Sequence, residues 1–461
     1  MKLVKKFVVR IKSFLPERLK LFKRVGFMRL RFLALSATYA MRMHYFTALL
    51  WIFFSKKLGK SSHKQSGSMF VFDSPGGIDD LRAAFGSDFF SWNVFCLDGE
   101  IIKHLFRSIF GENSHDHQYT EAITSRSEEL KKYHSYLAEI TKHFKNSLGL
   151  QVFVNFNFIY FAQRELMIVA REQDVRFITL MKECLRPKGY WESTQALYQD
   201  KIVSIFPSAI FVHNSETYNV VVESQICPDC EIKVVGQGRS DKLFKFRHIA
   251  DKTNPKFYSS RRRFRILYFA ISETAGLPSY GNFLPADEAV LGANFSWKDL
   301  AASTFEMLCE YVLKNSNVEL VVKGKPSGIY EFKKIYSPRI KYYHGSPDIG
   351  LFESTDLVVG FNTTGLFEAI AAGIPVISSE LGIDRHDMVL NRFLYEFDNS
   401  IAVASDRESF IKLLDQALHG DYVLPEEQLR IKILDRYLGN PDGKAGLRIK
   451  NAFLQHINGK C

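Results

Sequence analysis

From about residue 68 the chain alternates between short apolar runs and longer stretches with apolar residues at helical spacing. That rhythm is the mark of βαβ units around a parallel sheet, whose strands are buried on both faces and so read as continuous apolar runs. A first series of strands is expected at Met69–Phe72, Asn93–Cys96, Val152–Asn155, Arg176–Leu180, Ala209–His213 and Ile232–Val235, with a long charged helix over roughly 119–147. Residues 251–263 are polar, basic and broken by proline, which reads as a linker. A second series is expected at Arg265–Phe269, Val318–Lys323, Ile340–Tyr343, Leu357–Gly360, Pro375–Ser378 and Ile401–Ala404. The pattern thus predicts an α/β chain of two doubly wound domains, with ligands at the carboxyl ends of the strands.

The first sixty residues follow a different pattern. Leu3, Val4, Phe7, Val8, Ile11, Phe14 and Leu15 share one helical face, Lys2, Lys5, Lys6, Arg10 and Lys12 the other, and Pro16 ends the run. This is a basic amphipathic helix of the kind that lies in the headgroup region of an anionic bilayer. Phe32 to Phe54 is long enough to span a membrane, but Arg42 interrupts it and leaves two pieces too short to cross. The expected organisation is a membrane-facing segment 1–60, a domain 66–250, the linker 251–263, a domain 264–425 and terminal helices over 426–461.

Charge sharpens this picture. The chain of 461 residues carries a formal net charge of +11. Residues 1–60 alone hold 15 Lys/Arg against the single acid Glu17, so the rest of the chain is slightly negative. A basic balance confined to a Phe/Leu-rich segment suits lipid better than a duplex, and nucleic acid is not an expected partner. Six cysteines in a chain of this length make no disulfide framework. Cys227-Pro-Asp-Cys230 lacks a second pair at metal-binding spacing, and His115-Asp-His117 sits in a polar loop, so no metal site is expected.

Several familiar motifs are missing from the sequence: a phosphate-binding G-x-x-x-x-G-K-[ST] loop, H-E-x-x-H, and any D-x-D pair that would hold a sugar donor through a metal. The informative stretch is 356–379, DLVVGFNTTGLFEAIAAGIPVISS. A buried strand leads into Phe361-Asn-Thr-Thr-Gly365 and then into a helix expected to start near Thr363 or Thr364. Free backbone N–H groups and Thr hydroxyls there suit a phosphate, with Glu368 one turn on to accept from a sugar hydroxyl. The same residues equally fit a Thr N-cap and a glutamate stabilising the first turn.

That stretch resembles the donor-site strand–helix–strand of GT-B glycosyltransferases, where a hydroxylated turn precedes a helix carrying E-A-x-x-x-G-x-P-V-I. Residues 152–183, closing on Lys182-Glu183, are similar to a segment of bacterial surface-carbohydrate (capsule and lipopolysaccharide) transferases. Residues 213–241 resemble their V-x-G-x-x-R-x-D motif, 318–325 their lysine-delivering strand, and 442–448 (DGKAGLR) their C-terminal helix signature. In the related Kdo and glycerophosphate transferases a K-P-H-P motif stands where this chain has Lys323-Gly-Lys-Pro326.

The resemblance implies two Rossmann-like domains of GT-B type and a metal-independent glycosyltransferase. Its donor is a nucleotide-sugar, which is a substrate, so no cofactor is implied. The acceptor is a lipid-linked or growing surface glycan at the inner face of the plasma membrane. Lys323 or Lys325 would meet the charge on the departing phosphate, Thr363 and Thr364 would hold phosphate, Glu368 a hydroxyl, and His344 would line the nucleotide pocket. Glu183 would be the acceptor-side base, with His213 and Asp73 as substitutes. A polyol-phosphate transferase, a nucleotide-sugar epimerase and a non-catalytic membrane-associated binding protein remain the alternatives.

Overall fold

A computed structural model describes residues 31–58, 67–74, 76–86, 89, 92–111, 125–157, 161–199, 205–253, 263–270, 297–324, 335, 337–343 and 349–459. Seven strands form one sheet: β1 (Lys56–Leu58), β2 (Gly67–Asp73), β3 (Trp92–Asp98), β4 (Leu150–Asn155), β5 (Arg176–Leu180), β6 (Ala209–Val212) and β7 (Glu231–Val234), in the order β1-β3-β2-β4-β5-β6-β7. β2 runs parallel to both β3 and β4, β4 runs parallel to β5, and β1 is antiparallel to β3. Six more form a second sheet: β8 (Phe264–Phe269), β9 (Val318–Lys323), β10 (Ile340–Tyr343), β11 (Leu357–Gly360), β12 (Val376–Ser379) and β13 (Ala402–Ala404), all parallel, in the order β10-β9-β8-β11-β12-β13. In this second sheet the strand order is that of a Rossmann domain. The protein has the expected α/β architecture of two parallel-sheet, Rossmann-like domains.

Every strand expected from the sequence is present, within two residues at each end. Burial on both faces explains why they were readable: Met69 to Phe72 and Leu357 to Val359 are each 2 % exposed or less. β1 was not expected; three residues, two of them lysines, give no apolar run to read. The long helix spans Ser127–Leu148. Residues 254–262 of the linker and the His115–His117 loop lie outside the described residues, as do residues 1–30.

The described chain divides into two compact units, one made of residues 1–77, 87–180 and 205–209, the other of 78–86, 181–204 and 210–461. In the first, the apolar run at 32–54 breaks at Arg42, whose φ of 52° is left-handed, into a helix over 31–40 and a second at His44–Phe54. Trp51 is buried between Phe70 and Phe144, with ring centroids 6.3 and 6.1 Å away. Thr47 donates to Thr38 Oγ1 at 2.8 Å and its hydroxyl also meets that of Tyr136, so the helix pair is tied down by buried polar contacts as well. Among the described residues no helix is long and apolar enough to cross a membrane.

In the second unit two motifs quoted above close on each other. Asp241 accepts hydrogen bonds from Ala445 N (3.0 Å) and Gly446 N (2.8 Å), and so caps the helix Ala445–Asn458. Arg448 returns a bond from Nε to Val235 O at 3.0 Å and pairs with Asp442. Gly446 lies so close to the helix Gly77–Phe85 that a Cβ would fall 2.4 Å from Ala83 O. Gly439, at a φ of 72°, would place a Cβ 1.8 Å from His213 O, so only glycine fits there.

These contacts make Asp241 and Arg448 a structural clasp. Replacing a buried carboxylate that accepts two backbone bonds should cost about 2 kcal/mol. Asp241→Ala is therefore expected to lower the denaturant midpoint with little change in slope, measured by urea unfolding, and an unchanged midpoint would show that these bonds do not hold the unit together.

Candidate active site

The order of the second sheet reverses between β8 and β11, and a doubly wound sheet opens its ligand crevice at that point, beyond the carboxyl ends of the strands. The turn after β11 is built there. Asn362 adopts a positive φ of 43° and is held by its own side chain, which donates to Phe393 O (2.9 Å) and accepts from Tyr395 N (2.8 Å). The turn is thereby fixed from within, leaving Thr363 half-buried and Thr364 exposed. The helix begins at Gly365 and runs to Ala371, and the Thr364 side chain makes no capping hydrogen bond to it. The N-cap role is therefore not what occupies this hydroxyl.

Glu368 lies in the first turn of that helix and is partly buried. Burial raises its carboxyl above the usual range, with Asp80 adding to the effect, while Arg239 and Lys323 pull it back down. Lys323 ends β9, is buried, and donates from Nζ to Gly324 O at 2.6 Å. Burial lowers its pKa and Glu368 opposes this. These two expected site residues thus face each other electrostatically. Lys325 and His344 lie outside the described residues.

Three further groups complete the cluster, all within the same compact unit. Asp80, on the helix Gly77–Phe85, is fully buried and accepts from Arg239 N at 2.8 Å and from Arg239 Nη1 at 2.7 Å. His213, also fully buried, brings Nε2 to 3.6 Å from the same carboxylate. Burial would raise Asp80, but Arg239 and His213 together hold it below the ordinary carboxylate range. Burial likewise disfavours the His213 cation, yet the Cys184 sulfur and Asp80 outweigh it and push the imidazole up to about 9. Only part of the Arg239 guanidinium is used by Asp80, and its side chain keeps 24 % exposure.

Glu183 is not a free carboxylate. It pairs with Arg186 and lies 3.7 Å from Lys182 Nζ. Lys182 is pushed down by burial first and by Arg239 and Arg186 as well, with Glu183 opposing. Arg186 in turn stacks over Tyr190, 3.8 Å from the ring centroid. Lys182, Arg186, Arg239 and Lys323 therefore crowd around three carboxylates, with Arg239 acting electrostatically on both Lys182 and Glu368. Asp80 and Arg239 were missed from the sequence as site residues. Asp80 looks like an ordinary acid at a helix start, and Arg239 was visible only as the arginine of the V-x-G-x-x-R-x-D resemblance.

No protein-family model matches the chain, and no curated protein matches it in sequence. Solved structures match it over most of its length. UDP-GlcNAc 2-epimerase from Neisseria meningitidis, bound to UDP-GlcNAc, is 12 % identical with a TM-score of 0.48 over 84 % of this chain and 99 % of its own. The corresponding epimerase from Methanocaldococcus jannaschii is 15 % identical with a TM-score of 0.45 over 84 % and 99 %. A UDP-forming α,α-trehalose-phosphate synthase from Burkholderia xenovorans, in complex with glucose-6-phosphate, is 9 % identical with a TM-score of 0.45 over 86 % and 100 %.

The Asp80–His213 pair has a consequence for stability against pH. His213 has a higher pKa folded than its ordinary value of 6.5, so its contribution is fully present below that pH and is lost as pH rises through about 9. The loss should be on the order of 3 kcal/mol. Urea unfolding across that window should show the decline in the native chain and a flatter profile in His213→Asn; parallel profiles would deny the pairing.

Proposed function

We propose that the protein is a metal-independent glycosyltransferase that moves a sugar from a nucleotide-sugar to a lipid-linked or growing glycan of the bacterial surface-carbohydrate type. The observation that carries the reading is that two cations, Arg239 and Lys323, act on Glu368, while Arg239 also acts on Lys182, which with Arg186 flanks Glu183. Buried or half-buried like charges repel, and an anion with two phosphates is the ligand chemistry that such a cluster best accommodates.

In this reading the bond from the sugar's anomeric carbon to the donor phosphate breaks, and its electron pair leaves with the nucleoside diphosphate. Lys323 and Arg239 meet that charge, as a fixed cation must where it develops. Lys325 lies two residues beyond Lys323 and is assigned to the same phosphates, as are Thr363 and Thr364. Glu368, kept receptive to a hydrogen bond, holds a sugar hydroxyl, and His344 lines the nucleotide pocket. The acceptor hydroxyl forms the new bond to carbon and gives its proton to Glu183, which must first loosen its pairing with Arg186. An acceptor of this kind places the work at the inner face of the plasma membrane.

The direct test offers the chain a set of nucleotide-sugars with and without acceptor extract and measures free nucleoside diphosphate. Acceptor-dependent release is expected. Isomerised donor without release would identify an epimerase instead, and release of a nucleoside monophosphate from a polyol donor would identify a polyol-phosphate transferase.

Two substitutions separate the roles. Lys323→Met should weaken donor binding about tenfold in calorimetry and cut turnover further. Glu183→Gln keeps shape and removes the base, so turnover should fall by about two orders of magnitude with donor affinity intact. If donor affinity falls and turnover at saturating donor does not, Glu183 serves only to hold Arg186 and Lys182.

A further inference from the structure

The helix His44–Phe54 is apolar on every side. Of its eleven residues only His44 and Thr47 are polar, and Thr47 is buried with Ala48 and Trp51 against the body of its unit. The opposite face carries Tyr45, Phe46, Leu49 and Phe53, between 42 % and 53 % exposed. At about 100° per residue these four lie within an arc of about 100°, opposite the buried three. Leu33 and Met41, at 66 % and 62 %, stand nearby in sequence, so six of the thirteen strongly exposed large apolar side chains among the described residues fall within 33–53. A helix apolar all round is normally covered all round.

We infer that this outward stripe is an interfacial anchor that docks on an anionic lipid bilayer. Three observations select that occupant. Length excludes a span: eleven residues give about 16 Å, half of the roughly 30 Å hydrocarbon core, so the helix lies in the plane of the surface. Composition fits the headgroup boundary, where aromatic side chains such as Tyr45, Phe46 and Phe53 concentrate. Charge is complementary: exposed Arg42 flanks one end of the helix and exposed Lys56 and Lys57 the other, and no Asp or Glu occurs from Arg18 to Phe72. A second copy of the same face would bring one basic rim against another. The buried contacts of Thr47 with Thr38 and Tyr136 hold the stripe outward, so it needs no rearrangement to engage.

The inference stands independently of the proposed transfer, because its test reads lipid binding alone. The full chain is sedimented with vesicles of phosphatidylcholine, and with vesicles of equal parts phosphatidylcholine and phosphatidylglycerol. Preferential sedimentation with the second set is expected, falling at least about tenfold in the double variant Leu49→Glu/Phe53→Glu with an unchanged melting temperature. Leu49→Ala/Phe53→Ala should fall by an intermediate factor, and Lys56→Gln/Lys57→Gln should lower binding while reducing its salt sensitivity. Undiminished sedimentation of the Glu variant would overturn the proposal, because some other segment would then be making the contact. So would a lipid-free dimer in sedimentation velocity that the Glu substitutions dissociate, which would give the stripe to a second copy.

Discussion

Asp80 is a carboxylate with no exposure to water, and a buried charge is tolerated only when its partners are held in place. Most of the candidate site follows from that demand. The loop after β7 must bring Arg239 within reach with its backbone N–H at one carboxylate oxygen and its guanidinium at the other, and the end of β6 must deliver His213 beside the oxygen that the guanidinium holds. Once Arg239 is fixed there, its positive field reaches Glu368 on one side and Lys182 on the other. Removing one partner would leave an uncompensated buried ion, so these residues form a unit in which no member is optional.

The same economy explains why Glu183 is engaged twice. A carboxylate between Lys182 and Arg186 keeps two cations oriented that would otherwise repel Arg239 and each other. Electrostatic preorganisation of this kind is useful at a site where negative charge comes and goes, because the dipoles and charges are already aimed before a ligand arrives.

The fold was largely legible because its strands are buried on both faces and so spell themselves as apolar runs between helical stretches; Val318–Lys323 and Leu357–Gly360 are found with their expected limits. β1 escaped because an edge strand of three residues is specified by pairing with β3 rather than by its own composition. The turn at 361–368 was legible too, since its hydroxyls and its acid follow a buried strand directly in sequence. Asp80 and Arg239 were not, for a physical reason: they are 159 residues apart, and nothing local distinguishes a helix-start aspartate that faces inward from one that faces water. Resemblance flagged Arg239, Asp241 and Arg448 in motifs, and the geometry divides them, Arg239 beside the charged cluster and the other two in the clasp that supports it.

That clasp sets a schedule for the nascent chain. Asp241 waits for backbone donors that lie 204 and 205 residues further along. At about 5–20 residues per second, roughly 10 to 40 s of translation separate the two. During that interval the loop bearing Arg239 lacks the helix that later packs over it, and Asp241 is a carboxylate with its designated donors still unmade. The charged cluster is thus among the last parts of the molecule to become rigid, and a chain arrested before residue 446 would hold its strands with Arg239 still unsupported by the final helix.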